Sequence, residues 1–185
     1  MQQYLTKNTV LTALLVLVAL AIVIRIIPPY VPKVVELEIS KNKQGIGRID
    51  QSRDIDYSRS LWVDRLELSA KNQLRHPKLG QIGYGNNFFI DIEHEFTVET
   101  AGDYRFLIGS DDGFVAAVDG EELCRFNTDR PYRKQTCRVS LEEGSHTFTL
   151  SYFQGGGHAG LTVEYRRVGA DKPRFFGESS DDIVF

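Results

Sequence analysis

Several stretches of the chain alternate apolar and polar residues with a period of two, and this alternation restricts the fold to one built from strands. The clearest stretches are 88–98, 104–108 and 146–152. A two-residue period puts alternate side chains on opposite faces of a strand, so each stretch predicts a half-buried strand. Turn signals separate the stretches about every ten residues, which is typical of a two-sheet sandwich. The sequence therefore predicts an all-β domain.

Two turn sequences lie within this pattern. Asp119-Gly120 separates two apolar segments and is a strong hairpin signal. Upstream, Gly109-Ser110-Asp111-Asp112-Gly113 places two carboxylates side by side between strands. Neighbouring anions repel unless a cation or hydrogen-bond donors lie between them, and a hard cation such as calcium suits such a pair. The alternative is that both aspartates only shape the turn and cap backbone amides.

These motifs, in their order along the chain, resemble those of a known family. The Ser-Asp-Asp-Gly turn, the Asp-Gly hairpin and the Gly-Ser-His strand at 144–146 with its following glycine loop resemble the PA-fourteen domain. This is the protective-antigen-type β-sandwich that is related to flocculin-type lectins. The resemblance covers 61–165 and implies an all-β fold, a PA-fourteen-type β-sandwich preceded here by one N-terminal transmembrane helix.

The resemblance also implies a site. In the lectin branch the aspartate pair, joined by a cis peptide, binds calcium, and the calcium binds sugar hydroxyls. It implies Asp111 and Asp112 as metal ligands and calcium as the candidate cofactor. Gln154 falls where the lectins use an asparagine, so it is the third expected metal ligand, with a longer arm that changes the geometry. The expected ligand-binding residues are Gly155, Gly156 and His158.

The N-terminal part is predicted to be a membrane helix. Asn8–Ile24 carries no charge, and Val10–Ile27 as a helix would span about 27 Å, close to the hydrocarbon core of about 30 Å. Pro28-Pro29 should end the helix. A cleaved signal peptide is the alternative, but its small-residue pattern, Ala19-Leu20-Ala21, lies inside the apolar run, which favours an uncleaved anchor.

Three segments follow from these features. Residues 1–30 are expected to form an N-terminal cytoplasmic stub and transmembrane anchor, and 31–60 a juxtamembrane strand and polar linker. Residues 61–185 are expected to form the PA-fourteen-like β-sandwich with a C-terminal tail. The three phenylalanines of that tail should pack back on the sheet, because their exposure would be a liability.

Two cysteines, Cys124 and Cys137, flank a polar stretch. A disulfide between them would contribute about 3 kcal/mol in the chain-entropy model and would persist in an oxidising compartment. Free buried thiols are the alternative. Together, the membrane helix and the disulfide predict that the domain lies outside the cytoplasm. The expected location is a bacterial inner membrane, with the C-terminal domain facing the periplasm. The positive-inside rule would instead put the C-terminal side in the cytoplasm, but this rule is weak for large domains.

The formal net charge of −3 shows no nucleic-acid footprint, and the motifs of hydrolases, zinc peptidases and phosphate-binding loops are missing. We therefore predict that the chain is not an enzyme. The predicted function is a membrane-anchored extracytoplasmic module for calcium-assisted recognition of a carbohydrate, an envelope polysaccharide or a cell-surface glycan. The alternative is an accessory or scaffold subunit of a membrane or envelope complex, with membrane-protein partners and no metal or sugar. A glycosidase fragment ranks third, since two adjacent carboxylates do not face each other across a glycosidic bond.

Overall fold

The computed structural model describes residues 6–26, 29–170 and 172–185. It contains one helix, α1, over Lys7–Ile26. The strands are β1 Val35–Asn42, β2 Ile55–Val63, β3 Glu67–Leu68, β4 Arg75–His76, β5 Gly80–Gln81, β6 Phe88–Val98, β7 Gly102–Asp111, β8 Phe114–Val118, β9 Glu121–Phe126, β10 Arg133–Leu141, β11 Gly144–Gln154, β12 Gly160–Arg167, β13 Arg174–Phe175 and β14 Ile183–Val184.

Twelve of the strands form two antiparallel sheets that pack face to face, and β4 pairs with β5 in a separate two-stranded sheet. The larger sheet has the order β2-β1-β6-β11-β8-β9, with β14 beside β6, and the smaller has β10-β7-β12-β13, with β3 beside β12. Their inner faces share one apolar core. Phe106 of the smaller sheet stacks on Phe148 of the larger, with 5.6 Å between ring centroids. The expected sandwich is confirmed.

The period-two alternation predicts the inner face correctly. In β6, Ile90, Ile92 and Phe96 are buried, whereas Glu93 and Glu95 are exposed. Alternate residues point to opposite faces of a strand, so the apolar set enters the core and the charged set faces water.

The segment 31–60 belongs to the sandwich, which corrects its expected role as a juxtamembrane strand and polar linker. Val35–Asn42 pairs with Ile55–Val63 on one side and with β6 on the other. The physical reason is the alternation of Val35, Leu37 and Ile39, all fully buried, which fills the core edge beside β6. The compact unit accordingly covers Val31–Phe185.

The C-terminal tail packs on the core as expected. Phe176 is fully buried, with its ring centroid 4.6 Å from that of Phe148. Phe185 contacts the Phe176 ring at a centroid distance of 4.7 Å.

The N-terminal unit is the helix α1. Its 20 residues have a mean hydropathy of 2.7 in the most apolar window, and none of them is buried. Its length and composition fit a membrane span and equally fit a signal sequence. The expected stub at 1–5 and the positions Ile27 and Pro28 lie outside the described residues.

The Cys124–Cys137 disulfide is present, with 6.0 Å between the Cα atoms. Cys124 lies in β9 at the edge of the larger sheet, and Cys137 lies in β10 at the edge of the smaller sheet. The bond therefore joins the two sheets and closes the loop 127–132 that connects these strands.

Candidate functional site

The aspartate pair stands at the end of β7. Asp111 is the last residue of that strand, and Asp112 begins the turn into β8. The peptide bond between them is cis, as in the family that the sequence resembles. Asp111 is 6% exposed and Asp112 is 2% exposed. Two adjacent carboxylates are thus held almost out of water.

Each carboxylate is anchored through one oxygen to a backbone amide of a different loop. The Tyr132 N–H donates to Oδ2 of Asp111 at 3.1 Å, and the Gly155 N–H donates to Oδ2 of Asp112 at 2.8 Å. The turn is therefore tied both to the loop closed by the disulfide and to the glycine loop after β11.

A third carboxylate, Asp129, approaches the pair. The pKa of Asp112 is raised to about 7, first because burial disfavours the charged form, and further because the Asp129 carboxyl lies within hydrogen-bond reach and Asp111 is nearby. Burial also raises the pKa of Asp111. The sequence reasoning missed Asp129 as a site residue; its only signal was an acid in the polar loop between the cysteines.

Arg130 brings positive charge to the same corner. Its side chain is buried, and its Nη2 donates to Ser110 Oγ at 2.8 Å. The guanidinium also lies over the Phe126 ring, 4.3 Å from the centroid. Burial, followed by nearby Arg133, lowers the pKa of Arg130, whereas Asp111 raises it. Arg130 therefore offsets part of the repulsion within the carboxylate group.

Gln154 reaches the site but holds the glycine loop rather than projecting a free oxygen. Its Nε2 donates to the carbonyl oxygens of Gly156 and His158, at 2.9 and 2.8 Å. Its Oε1 lies 2.5 Å from the Tyr152 hydroxyl. The same hydroxyl contacts the Asp111 carbonyl oxygen. The structure thus gives Gln154 a bracing role that the family resemblance did not imply.

The glycine loop lies beside the aspartates. A Cβ added to Gly155 would meet the Ile46 carbonyl oxygen at 2.5 Å, so only glycine fits there. Gly156 and His158 are exposed. His158 is near enough to lower the pKa of Asp111. The three ligand-binding residues expected from the sequence therefore gather at this edge of the site.

Part of the segment 31–60, which was expected to be a linker, lies along another side of the site. Ile46 and Ile49 pack with Phe89 and Phe153 in a small apolar cluster. The Ile49 N–H donates to the Asn127 carbonyl at 2.9 Å, which fixes this segment to the loop that carries Asp129.

The remaining acid and histidine positions are structural. Asp119 accepts from the Thr147 N–H at 2.8 Å and contacts His146 Nδ1 at 2.6 Å across the hairpin. The His94 ring stacks on Phe185 and meets the Phe176 ring edge-on. Burial lowers the pKa of His94, which keeps its ring neutral in that setting.

The residues present fit a hard cation, but only as a partial shell. In the described ranges, no three His, Cys, Asp or Glu side chains converge on one ion position. Asp111 and Asp112 each accept a backbone hydrogen bond at Oδ2, and the Asp129 carboxyl lies within hydrogen-bond reach of Asp112. Calcium takes six to eight oxygen ligands, so backbone carbonyls, water or a ligand's hydroxyls would have to complete the shell.

Solved structures provide the comparison. No family model and no curated protein matches the chain. The structure is similar to the PA14 domain of the MpAFP antifreeze protein (TM-score 0.62, 12% identity, covering 81% of this chain and 90% of that one). It is also similar to a PA14 sugar-binding domain from an RTX adhesin (TM-score 0.57, 17% identity, covering 77% and 93%).

A third similar structure is the epithelial adhesin 9 A domain from Candida glabrata in complex with Galb1-3GlcNAc (TM-score 0.56, 12% identity, covering 77% and 86%). At these identities the likeness is one of fold. PA14 is the PA-fourteen family that the sequence motifs resemble, so the structural comparison and the motifs agree. The β-sandwich of this chain has a PA14-like fold.

Proposed function

We propose that this chain is a membrane-anchored binding module that recognises a carbohydrate with calcium held at Asp111 and Asp112. The observation that carries the proposal is the pair of buried, adjacent carboxylates facing the glycine loop. Two similar structures support it, because one is described as sugar-binding and another contains a disaccharide.

The residues of the site have separable tasks in this proposal. Bound calcium would supply positive charge and open coordination positions for hydroxyl oxygens. Asp111 and Asp112 would hold it through their carboxylate oxygens, while the Tyr132 and Gly155 amides keep both carboxylates in place. The exposed loop residues Gly156 and His158 would face the sugar.

The test is a calcium titration of the full chain in zwitterionic detergent, with the melting temperature as the readout. Calcium at a hundred times its dissociation constant should add about 2.7 kcal/mol to the free energy of unfolding. Asp111→Asn and Asp112→Asn should abolish this gain. They should cost little baseline stability, because removing one anion also relieves repulsion.

Asp56→Asn is the matched control, since Asp56 is an exposed aspartate in β2 away from the site. It should keep the full calcium response. Magnesium and sodium are the control cations. If calcium, like them, does not change the melting temperature of the wild-type chain, the proposal of calcium-dependent binding is wrong.

The location is part of the proposal. We infer that α1 is an uncleaved anchor and that the disulfide-bonded domain faces an oxidising compartment, the periplasm of a bacterial inner membrane. The chain should then stay in the membrane fraction after carbonate washing, with α1 still attached. Release of a soluble domain that begins after α1 would show cleavage instead.

A second candidate function is an accessory or scaffold subunit. Arg130 already supplies a counter-charge beside Asp111, and the amide of Gln154 is engaged within the protein. These contacts would let the aspartate turn serve as architecture alone. The calcium titration separates the two, because a scaffold needs no calcium response.

A further inference from the structure

Three arginines form a straight row on the outer face of the smaller sheet. Arg138 of β10 pairs directly with Arg105 of β7, and Arg105 pairs directly with Arg166 of β12. Residues opposite each other on adjacent strands project from the same face. We call Arg138, Arg105 and Arg166 the arginine row.

Within the described part of the chain, none of the guanidinium groups of the arginine row forms an ion pair. Like charges directly opposite each other destabilise a sheet. The Nε of Arg105 is buried without a hydrogen-bond partner. The row therefore carries donors and charge that the fold itself does not use.

Two carboxylates on this face have partners elsewhere in the fold. Asp103 accepts from Ser140 Oγ at 2.5 Å, and Glu164 binds Lys134 Nζ at 2.8 Å. Two depressions adjoin the row. One of about 310 Å³ is lined by Arg105, Arg138 and Asp103. The other, of about 680 Å³, is lined by the cations Arg166, Lys172 and Arg174 and by the acids Glu178, Asp181 and Asp182. Of these acids, Glu178 pairs with Arg65 and Asp182 pairs with Arg167.

We propose that the arginine row binds an acidic polysaccharide through its carboxylate or sulfate groups, without calcium. A guanidinium is a planar fork of donors that matches such oxyanions in two-point hydrogen bonds. Neighbouring strands are about 4.8 Å apart, so the row extends about 10 Å across three strands. A polymer with repeated anions can engage all three positions, whereas a single small anion cannot.

The shape of the face favours a thin chain over a flat or bulky partner. Arg105, the middle member, is only partly exposed, and depressions adjoin the row. A bilayer surface would meet the exposed rim before it met Arg105. The larger sheet carries an acidic face with Glu36, Glu38 and Glu93, so self-association through the row is a separate outcome of the test.

The test titrates polygalacturonate into the full chain held in phosphatidylcholine nanodiscs, in the presence of EDTA. Chelation keeps the aspartate site out of the measurement, so this result and that of the calcium titration are independent. We expect binding that weakens as salt increases, and no binding of neutral dextran. Arg105→Gln and Arg138→Gln should each weaken binding about tenfold, the loss typical of one charge-assisted hydrogen-bonded contact.

Arg75→Gln is the matched control, because Arg75 is exposed in β4 outside the row. It should bind as the wild-type chain does, and every variant must keep the wild-type melting temperature. If Arg105→Gln lowers the melting temperature, its binding result is set aside. The test of the row then rests on Arg138→Gln, which lies on an edge strand.

Three results would overturn the proposal outright: no binding of polygalacturonate, equal weakening by Arg75→Gln, or binding of inorganic phosphate as tight as that of the polymer. Two others would assign the row to a different partner. Binding of phosphatidylglycerol vesicles without binding of the polymer would indicate a membrane surface, and salt-sensitive self-association that Arg138→Gln abolishes would indicate a second copy.

Discussion

The Gly155 N–H donates to Asp112 Oδ2 across 2.8 Å, although the two residues are 43 positions apart in the chain. This hydrogen bond favours the charged carboxylate, yet burial and the neighbouring acids outweigh it, and the pKa of Asp112 rises to about 7. The glycine loop therefore holds a carboxyl group that would titrate near neutral pH without a cation.

The first prediction concerns this titration. The ordinary pKa of an aspartate, 3.8, applies to the unfolded chain, and the folded value of Asp112 is about 7. A raised pKa means that the folded state binds the proton more tightly. This group therefore contributes stability below pH 4 and loses that contribution as pH rises through 7. Urea unfolding in EDTA measures this effect. From pH 4 to pH 8, the free energy of unfolding of the wild type should fall relative to that of Asp112→Asn.

Calcium should reverse this behaviour, because a cation displaces the proton. Its dissociation constant should rise about tenfold for each pH unit below 7, as expected for release of one proton. A free-energy difference between the two proteins that does not change with pH would show that Asp112 has an ordinary pKa. Comparison with the variant cancels the opposite contributions of Asp64 and Asp119, whose pKa values are lowered.

The second prediction concerns the two neighbouring glycines of the loop. Gly155→Ala would push a Cβ against the Ile46 carbonyl oxygen at 2.5 Å, whereas at Gly156 the nearest atom is Asn86 Cβ at 3.9 Å. Gly155→Ala should cost about 1–3 kcal/mol, the usual cost of overpacking, and Gly156→Ala should cost much less. Urea unfolding compares them, and equal costs would show that the wall formed by Ile46 yields.

The strands could be predicted from sequence because alternation is a local property. In β6 and β11, each inward residue is two positions from the next, so the core face can be read along the chain. The aspartate turn could be predicted for a similar reason, since Asp111 and Asp112 are adjacent. Its neighbours in the family pattern, the glycine loop and His158, follow at a fixed spacing.

The rest of the site depends on contacts between distant segments. Asp129 comes close to Asp112 only because the loop 127–132 folds over the turn, and no periodicity marks that approach. The walls formed by Ile46 and Ile49 come from a stretch that is polar on average, in which two isolated isoleucines decide the packing. The role of Gln154 depends on the Tyr152 hydroxyl, two residues away on the same face of β11.

The third prediction concerns the disulfide. Cys124–Cys137 closes the loop that supplies Asp129 and the Tyr132 N–H to the aspartate pair. Reduction should lower the free energy of unfolding by about 3 kcal/mol and should also weaken calcium binding, because the loop gains freedom. The double variant Cys124→Ala/Cys137→Ala should behave like the reduced wild type and should not respond to dithiothreitol. Unchanged calcium affinity after reduction would show that other contacts, such as that of Ile49 with Asn127, hold the loop.

The fourth prediction tests whether Gln154 braces the loop or binds the metal. Gln154→Glu replaces the Nε2 donor to Gly156 and His158 with an acceptor and adds a charge beside Asp111 and Asp112. If Gln154 braces the loop, this variant should lose about 1–3 kcal/mol of unfolding free energy in EDTA, the cost of leaving buried partners unpaired. Its calcium affinity should not exceed that of the wild type.

If Gln154 is instead a calcium ligand, the added carboxylate should tighten calcium binding, because charged oxygens are stronger ligands than amide oxygens. Gln81→Glu, at an exposed glutamine in β5, controls for the added charge and should change neither quantity. Gln154→Ala separates the two roles further, because it removes the brace and the amide oxygen without adding charge. As a ligand variant it should lower calcium affinity less than Asp112→Asn does, since one neutral ligand of six to eight is lost. As a brace variant it should destabilise the chain in EDTA, but less than Gln154→Glu, which also buries a charge beside two carboxylates.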